Sequence, residues 1–379
     1  MILTKRRNCY LLAFFVFYTI GIFGQQNADA TVPTIQVNDK LEKKDLKLSD
    51  ICSDIAYTKL EFNDNYPISG KDRLYDVHVT DEYIFFQNTS EFLRYTRDGK
   101  KVERIGSIGQ GPGDYLAGSS FVVDETSSKL FIRAIGTKNI LIYDYVSNKY
   151  IYKFSLPFDE TTAIKAANDG IILMVGSKDR RYTSTVRYFS LKFLNNEGKI
   201  LVEKTNPNFI KPKTEYLWNL SIMGGATCFW KDEATSFGSI YEIGSDTIHR
   251  ITLDLKILPR FFIICPMRDY DENTSVFHAE TSKYLFWILD ERKIKASYMG
   301  FYDKTLQKSF IYTRYYWDDI TDENRLKIRG VKNDIDGGLP VMIPYSSRSP
   351  SKWHVFVDAY ELIDYVNSPE FKNAEAKGS

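Results

Sequence analysis

The sequence predicts an all-β fold, a six-bladed β-propeller with four-stranded antiparallel blades and a last blade closed by the N-terminal segment. Three observations lead there. An apolar strand, a tight polar turn and a second apolar strand recur five times. They read FLRYTRDGKKVERI (Phe92–Ile105), ILIYDYVSNKYIYKF (Ile140–Phe154), LKFLNNEGKILVEK (Leu191–Lys204), IHRITLDLKILPRFF (Ile248–Phe262) and MGFYDKTLQKSFIYTR (Met299–Arg314). With Tyr95, Tyr143, Phe193, Ile251 and Tyr302 taken as equivalent, the period is roughly 50 residues, that of a propeller blade built from short strands. Aromatic residues make up 15% of the 379, with 26 Tyr and 25 Phe, types that favour strands and fill a large core. The last unit, Leu339–Val357, supplies only two strands. A propeller leaves an exposed edge unless its ends close on each other, so the segment before the first repeat is expected to complete the sixth blade.

The N-terminus precedes the fold. Lys5, Arg6 and Arg7 form a positive cluster, and Tyr10–Phe23 is an apolar run shorter than the about 20 residues a membrane span needs. This is the pattern of a signal peptide over residues 1–24, with cleavage after Gly24 or as late as Ala30. The mature protein is expected to be exported, to the periplasm or the cell surface. It would be membrane-associated only if this segment stayed uncleaved. Residues 31–366 are expected to form the propeller and 367–379 a disordered tail.

Thr31–Lys47 is polar, and IAYTKLEF (Ile55–Phe62) reads as a strand. Blade one runs from about Tyr66 to Ile105, with inner strands near Leu74–Val79 and Tyr83–Gln87. Blade two covers Phe121–Leu156, blade three Thr162–Lys204, blade four about Leu217–Phe262 and blade five about Ser275–Tyr315. Turns fall at Asp124-Glu125, Ser147-Asn148, Asn168-Asp169-Gly170 and Asn196-Glu197-Gly198, where the residue types favour reversal. Tyr360–Val366 reads as a short helix. With 50 basic and 49 acidic residues the net charge is +1, and no long basic run offers a nucleic-acid surface. Cys52, Cys228 and Cys265 fall in no C-x-x-C pair and read as buried free thiols.

Two glycine-rich segments interrupt the strands. Gly106–Tyr115 (GSIGQGPGDY) connects blades one and two. Its glycines permit positive φ and Pro112 fixes one φ. The segment partly matches G-x-G-x-x-G, but no helix follows it, so the dinucleotide-binding context is missing. A rigid turn is the plain reading and an anion-binding nest the functional one. Asn333–Pro340 (NDIDGGLP) follows blade five. Asp334 and Asp336 resemble part of a calcium loop, but the downstream Glu is absent, and carboxylates capping turn amides are the simpler account. Both segments join an outer strand to the next inner strand, so both are expected on one face, bordering the channel mouth. The ligand-binding candidates are therefore Gly111, Gly113, Asp114, Tyr115, Asn333, Asp334 and Asp336. A single cation held by Asp334 and Asp336 is the only cofactor this pattern allows for.

GQGPGDYL followed by FVVDETSSKLFI, NDIDGGLP near the C-terminus, and LKLSDICSDIAYTKLE before the first blade resemble a family of exported six-bladed β-propellers of the bacterial envelope. That resemblance implies an NHL- or TolB-like propeller, exported and often lipid-anchored, with no known reaction attached. Cys9 lies ahead of the apolar run, so this chain departs from a lipid-anchored leader.

His78, His249, His278 and His354 show no zinc-ligand spacing, and no G-x-S-x-G elbow occurs. The expected function is a binding or scaffold propeller, monomeric, recognising a glycan, peptide or envelope protein through its channel face. The alternative is a hydrolase or lyase with a channel metal, for which His78 and His278 on inner strands would have to converge. Trp218, Trp230, Trp287, Trp317 and Trp353 either fill the core between blades or stack on a ligand.

Overall fold

The computed structural model describes residues 32–61, 63–66, 77–88, 91–116, 118–134, 137–156, 161–177, 189–206, 227–230, 236–242, 246–265, 273–321, 324–343, 352–355, 357, 359–369 and 371–372. The segment expected as a signal peptide, with its expected cleavage positions, Trp218, and the tail from Asn373 lie outside them, as do the side chains of Cys228 and His278.

Five four-stranded antiparallel sheets follow one another as simple meanders. Blade 1 comprises Val77–Val79, Tyr83–Asn88, Glu91–Thr96 and Val102–Arg104. Blade 2 comprises Gly118–Asp124, Lys129–Ala134, Asn139–Asp144 and Lys149–Ser155. Blade 3 comprises Thr161–Asn168, Ile171–Ser177, Phe189–Leu194 and Ile200–Asn206. Blade 4 comprises Thr227–Trp230, Ser236–Glu242, Thr247–Thr252 and Ile257–Ile264. Blade 5 comprises Asn273–Glu280, Tyr284–Glu291, Ala296–Asp303 and Lys308–Tyr316. First strands of adjacent blades lie side by side, blade 2 against blade 3 and blade 4 against blade 5. The Ile164 amide donates to Ser120 Oγ across one such seam, at 3.1 Å.

The burial pattern explains why the five hairpins were legible. Middle strands are covered on both faces by neighbouring blades, so Lys129–Ala134 and Tyr284–Glu291 are almost continuously buried. Outer strands alternate, as Lys149–Ser155 does, because one face meets water. All five residues aligned as equivalents, Tyr95, Tyr143, Phe193, Ile251 and Tyr302, are buried in third strands. The turns fall where polar residues accept left-handed backbone: Asn148 at φ 55°, Asp169 at φ 50° and Gly198 at φ 86°. A register shift recurs between third and fourth strands in blades 2, 3, 4 and 5, bending each outer strand.

The expected sixth blade is corrected. Among the described residues there are five blades. The N-terminal strand, Thr34–Gln36, does not pair with the C-terminal unit. It adds to the outer edge of blade 4, parallel to Ile257–Ile264, with Thr34 opposite Phe262. Ile35 and Val37 fill the wedge between the outer parts of blades 4 and 5, against Trp230, Tyr241, Phe261 and Ile311. Both side chains are fully buried there, which removes their apolar surface from water.

From there the N-terminal arm runs along the rim. Lys44 N donates to Ile311 O of blade 5, at 2.9 Å, and Leu48 N donates to Lys332 O, also at 2.9 Å. The expected strand Ile55–Phe62 is not formed over its described residues; this stretch is irregular and its end touches blade 1. Glu61 N donates to Gly99 O at 2.9 Å, and the Tyr95 hydroxyl donates to Glu61 O at 3.0 Å. Two strands were expected in Leu339–Val357, yet among the described residues the C-terminal unit contributes one antiparallel bridge, Val331–Val341. Leu46, Leu48, Val331 and Ile343 form an apolar cluster on blade 5, with Trp353 packed edge-on to Phe286. Two helices complete this region, α1 (Arg325–Arg329) and α2 (Ala359–Asn367), the second where a terminal helix was expected. No helix among the described residues is long and apolar enough to cross a membrane.

Candidate functional site

The segment Gly106–Tyr115 folds as a compact wedge between blades 1 and 2. Ser107–Ile108 pairs in parallel with Asp114–Tyr115, which forces the residues between into a tight return. The Asp114 carboxylate accepts the Gly111 amide at 2.8 Å, and the Asp114 amide donates back to Gly111 O at 3.0 Å. Gly109 N donates to Tyr115 O, so these amides face the loop's own carbonyls and carboxylate instead of forming an anion nest. Gly113 has φ 82°, and its carbonyl accepts the Tyr143 hydroxyl. A Cβ at Gly113 would sit 2.6 Å from the Tyr150 ring, so glycine is required both for conformation and for space.

Tyr115 anchors the wedge. Its ring packs edge-on to Phe92, and its hydroxyl donates to Ile105 O at 2.7 Å while accepting the Phe92 amide at 3.3 Å. Burial pushes this phenol up to about 12 and raises Tyr143 further. The outer surface of the loop is different in character. Gln110, Gly111 and Pro112 are exposed, and Ile108 and Leu116 keep 47% and 58% of their surface in water.

Asn333, Asp334 and Asp336 form a second pinned turn. Buried Asn333 Oδ1 accepts the Ile335 amide at 3.2 Å, and its Nδ2 donates to Asp336 Oδ1 at 2.6 Å. Asp336 also accepts the Gly338 amide at 2.9 Å and the Tyr57 hydroxyl at 2.9 Å. Asp334 takes both donors of Ser49, amide at 3.0 Å and hydroxyl at 2.7 Å, and these bonds hold its carboxyl below the ordinary range. Each carboxylate is thus engaged by protein donors, in the manner of side chains that cap turn amides. No hydrogen bond joins Asp114 or Tyr115 to Asn333, Asp334 or Asp336 among the described residues; the two groups have separate partners.

Of the four histidines, His78, His249 and His354 have described side chains. His78 Nε2 lies 2.9 Å from Glu125 Oε1 across the seam between blades 1 and 2. His249 and His354 are each driven down to about 4, mainly by burial, which keeps them neutral. Among the described residues no three His, Cys, Asp or Glu side chains converge as a metal-binding group. Trp230 and Trp287 are fully buried in the core, while Trp317 remains 39% exposed.

Sequence reasoning missed one charged cluster. Glu280, 1% exposed at the end of the first strand of blade 5, receives Arg260 in a two-pronged pair at 2.6 and 2.7 Å, the Trp230 indole N–H at 2.6 Å, and Lys304. Arg260 also donates to Ser239 Oγ at 2.7 Å. Two cations on one carboxylate, all lined by blades 4 and 5, lock the seam. Asp124 ends the first strand of blade 2, and its donors among the described residues are neutral: Ser127 Oγ, Thr126 N, and the turn amides of Asp169 and Gly170. A single Asp or Glu at a strand end carries no spacing signal, so neither site is visible before the blades are assembled.

The backbone is similar to that of an exported protein from Bacteroides fragilis, so described for its crystal structure, at 18% identity over 74% of this chain and 80% of that one, with a TM-score of 0.53. This likeness establishes the shared fold. A member of the DUF4221 family from Bacteroides vulgatus aligns at 11% identity over 69% and 85% of the two chains, with a TM-score of 0.40. No curated protein matches the sequence. Residues 32–378 match the family described as "Domain of unknown function (DUF4934)", and the chain belongs to that family.

Proposed function

We propose that this protein is an exported, non-catalytic binding propeller of the bacterial envelope, which recognises a glycan, peptide or protein partner at the face bearing the Gly106–Tyr115 loop. One observation carries the reading. The reactive groups of the loop, Asp114 and Tyr115, are turned inward and satisfied, whereas Ile108, Gln110, Pro112 and Leu116 stand exposed on a backbone that the inward bonds hold still. Rigid apolar and amide surface suits recognition by contact, because little ordering entropy is lost on binding. Export is supported by the Lys5–Phe23 pattern and by the description of the Bacteroides fragilis neighbour. No cofactor is part of this function.

The test is a paired substitution, Ile108→Asp with Leu116→Asp, screened on glycan and peptide arrays and by cross-linking in the envelope fraction. Both side chains are already in water, so the unfolding midpoint should stay unchanged while binding found for the unaltered protein is lost. Retained binding in the double variant would overturn the assignment of this face. Native protein found in the cytoplasm with Met1 intact would overturn export.

A further inference from the structure

The outer edges of the blades are covered unequally. The N-terminal arm pairs with the edge of blade 4 through Thr34–Gln36. It meets the edge of blade 5 where Ile311 N donates to Glu42 O at 3.0 Å and Lys44 N donates to Ile311 O at 2.9 Å. In both places it runs parallel to the outer strand. An outer edge thus accepts a short extended chain twice within this molecule. Among the described residues no strand covers the edge of blade 2, Lys149–Ser155, or that of blade 3, Ile200–Asn206. An uncovered edge presents backbone donors and acceptors to a further strand.

The two open edges differ in charge. On blade 3 the exposed Glu203 and Lys204 are of opposite sign, and Glu203 lies 3.7 Å from Lys192. On blade 2 the exposed residues are Lys149, Ile151, Lys153 and Ser155, so the charge is of one sign. Among the described residues neither lysine side chain has an ion pair or a hydrogen bond. The surrounding acids are engaged elsewhere. Asp144, directly opposite Lys149, accepts the Ser147 amide at 2.6 Å and the Ser147 hydroxyl at 2.8 Å. Glu197, near Tyr152, accepts Asn195 Nδ2, and Asp114, near Tyr143, accepts the Gly111 amide. Glu103 binds Arg94 and Asn148. Lys149 and Lys153 pair in register with Asp144 and Leu141, which are an odd number of residues apart, so the two lysines stand on opposite faces of the blade. Ile151 is the extra residue at the register shift between them.

Lysines on an edge discourage pairing with a like edge, such as that of a second copy. The same charges favour a strand of the opposite sign. We propose that the outer strand of blade 2 is a docking edge for an extended, acid-rich peptide of a partner protein, which adds as a fifth strand and pairs with Lys149 and Lys153. In such an addition the backbone bonds supply affinity and the side chains supply selection. With a lysine on each face of the blade, the incoming strand needs acidic residues on both of its faces. The edge is argued from different residues than the loop face and stands or falls independently of it.

The experiment uses the purified protein and three labelled peptides: Glu-Asp pairs separated by Val, the same peptide with Pro in place of each Val, and the first peptide with Lys in place of each acid. Fluorescence anisotropy reports binding, and amide hydrogen exchange reports where it occurs. The acidic peptide should bind and slow exchange within Lys149–Ser155. The proline peptide keeps the charge but cannot donate along an edge. It and the lysine peptide should bind at least about tenfold more weakly, a difference of about 1.4 kcal/mol. Lys149→Glu combined with Lys153→Glu should reverse the preference toward the lysine peptide. Both side chains are exposed, so the unfolding midpoint should stay unchanged; if the double variant fails to fold, the exchange measurement on the unaltered protein decides. Absence of binding, equal binding of the proline peptide, protection mapped away from this edge, or full affinity in the folded double variant would each overturn the proposal. Self-association of the unaltered protein through this edge would overturn it as well.

Discussion

The segment Gly106–Tyr115 is held by residues close to it in the chain: Asp114 reaches Gly111 three positions away, Tyr115 reaches Ile105 ten away, and Tyr143 reaches Gly113 thirty away. The segment Asn333–Gly338, also built on glycine and aspartate, is held by Ser49 and Tyr57, which are 285 and 279 residues distant. The first is a wedge, buried among aromatic rings at a blade seam. The second is a clasp, half in water, fastening the two ends of the chain. Similar composition therefore serves two different tasks, and the difference lies in the partners.

The largest contrast should come from the glycines. Gly113→Ala introduces a Cβ against Tyr150 in a left-handed position and should cost about 3 kcal/mol, combining backbone strain with overpacking. Gly337 has a similar φ of 72°, but a Cβ there meets nothing within 4 Å, so Gly337→Ala should cost only about 1 kcal/mol. Denaturant unfolding of both variants measures the gap, and equal losses would erase the distinction between wedge and clasp.

The two regions should also fail at opposite ends of the pH scale. Tyr115 is raised from 10 to about 12 because burial disfavours its anion. Its contribution is complete below pH 10 and is lost as pH rises toward 12, a decline of about 3 kcal/mol over that interval. Tyr115→Phe should remove that alkaline loss, at a cost near neutrality of about 1–3 kcal/mol for the two buried partners left unsatisfied. On the clasp side, Asp334 lies below its ordinary 3.8, so its contribution is present above that value and disappears as pH falls below it. Outside the clasp, near Arg97 and His78, His354 is held neutral down to about 4 against an ordinary 6.5, so it adds a separate loss of stability between those values on acidification. Thermal unfolding across pH, with and without Ser49→Ala, should show a small acid-side change in the variant and an unaltered alkaline limb. This is the smallest effect, since the Ser49–Asp334 pair is solvent-exposed and screened. An altered alkaline limb in Ser49→Ala would mean that the two regions are coupled.

The blades were legible because their signal is local and repeated. A third-to-fourth-strand hairpin buries Tyr95, Tyr143, Phe193, Ile251 and Tyr302 in the same phase each time, and the intervening turn puts Gly99, Asn148 and Gly198 at positive φ in blades 1 to 3, though Leu255 and Gln307 take that place in blades 4 and 5. The terminal helix was legible for the same reason. The N-terminal strand was not. Thr34–Gln36 is three residues long, and nothing in TIQ distinguishes pairing on blade 4 from pairing on a sixth blade; the choice is made by the cavity that Ile35 and Val37 fill. The glycine segments were recognisable as pinned turns, but their partners were not, because Tyr143, Ser49 and Tyr57 gain meaning only once the blades are in place. The Glu280 cluster was silent for a related reason: its donors come from two strands of blade 4 and a turn of blade 5, each ordinary when read alone.

The arm along the rim has a temporal consequence. A ribosome delivers Ile35 and Val37 before any of the surfaces that receive them, and Ser49 must wait for Asp334, 285 residues later. Doubling the length of such a loop adds only about 0.6 kcal/mol to its closure, so the delay weighs on the rate of folding far more than on the final stability. Until the arm docks, the outer edge of Ile257–Ile264 is an open template for any other strand. A stretch made early is therefore fastened only after blade 4 exists, and the nascent molecule passes through an interval in which four blades can be complete while their flank is still undefended.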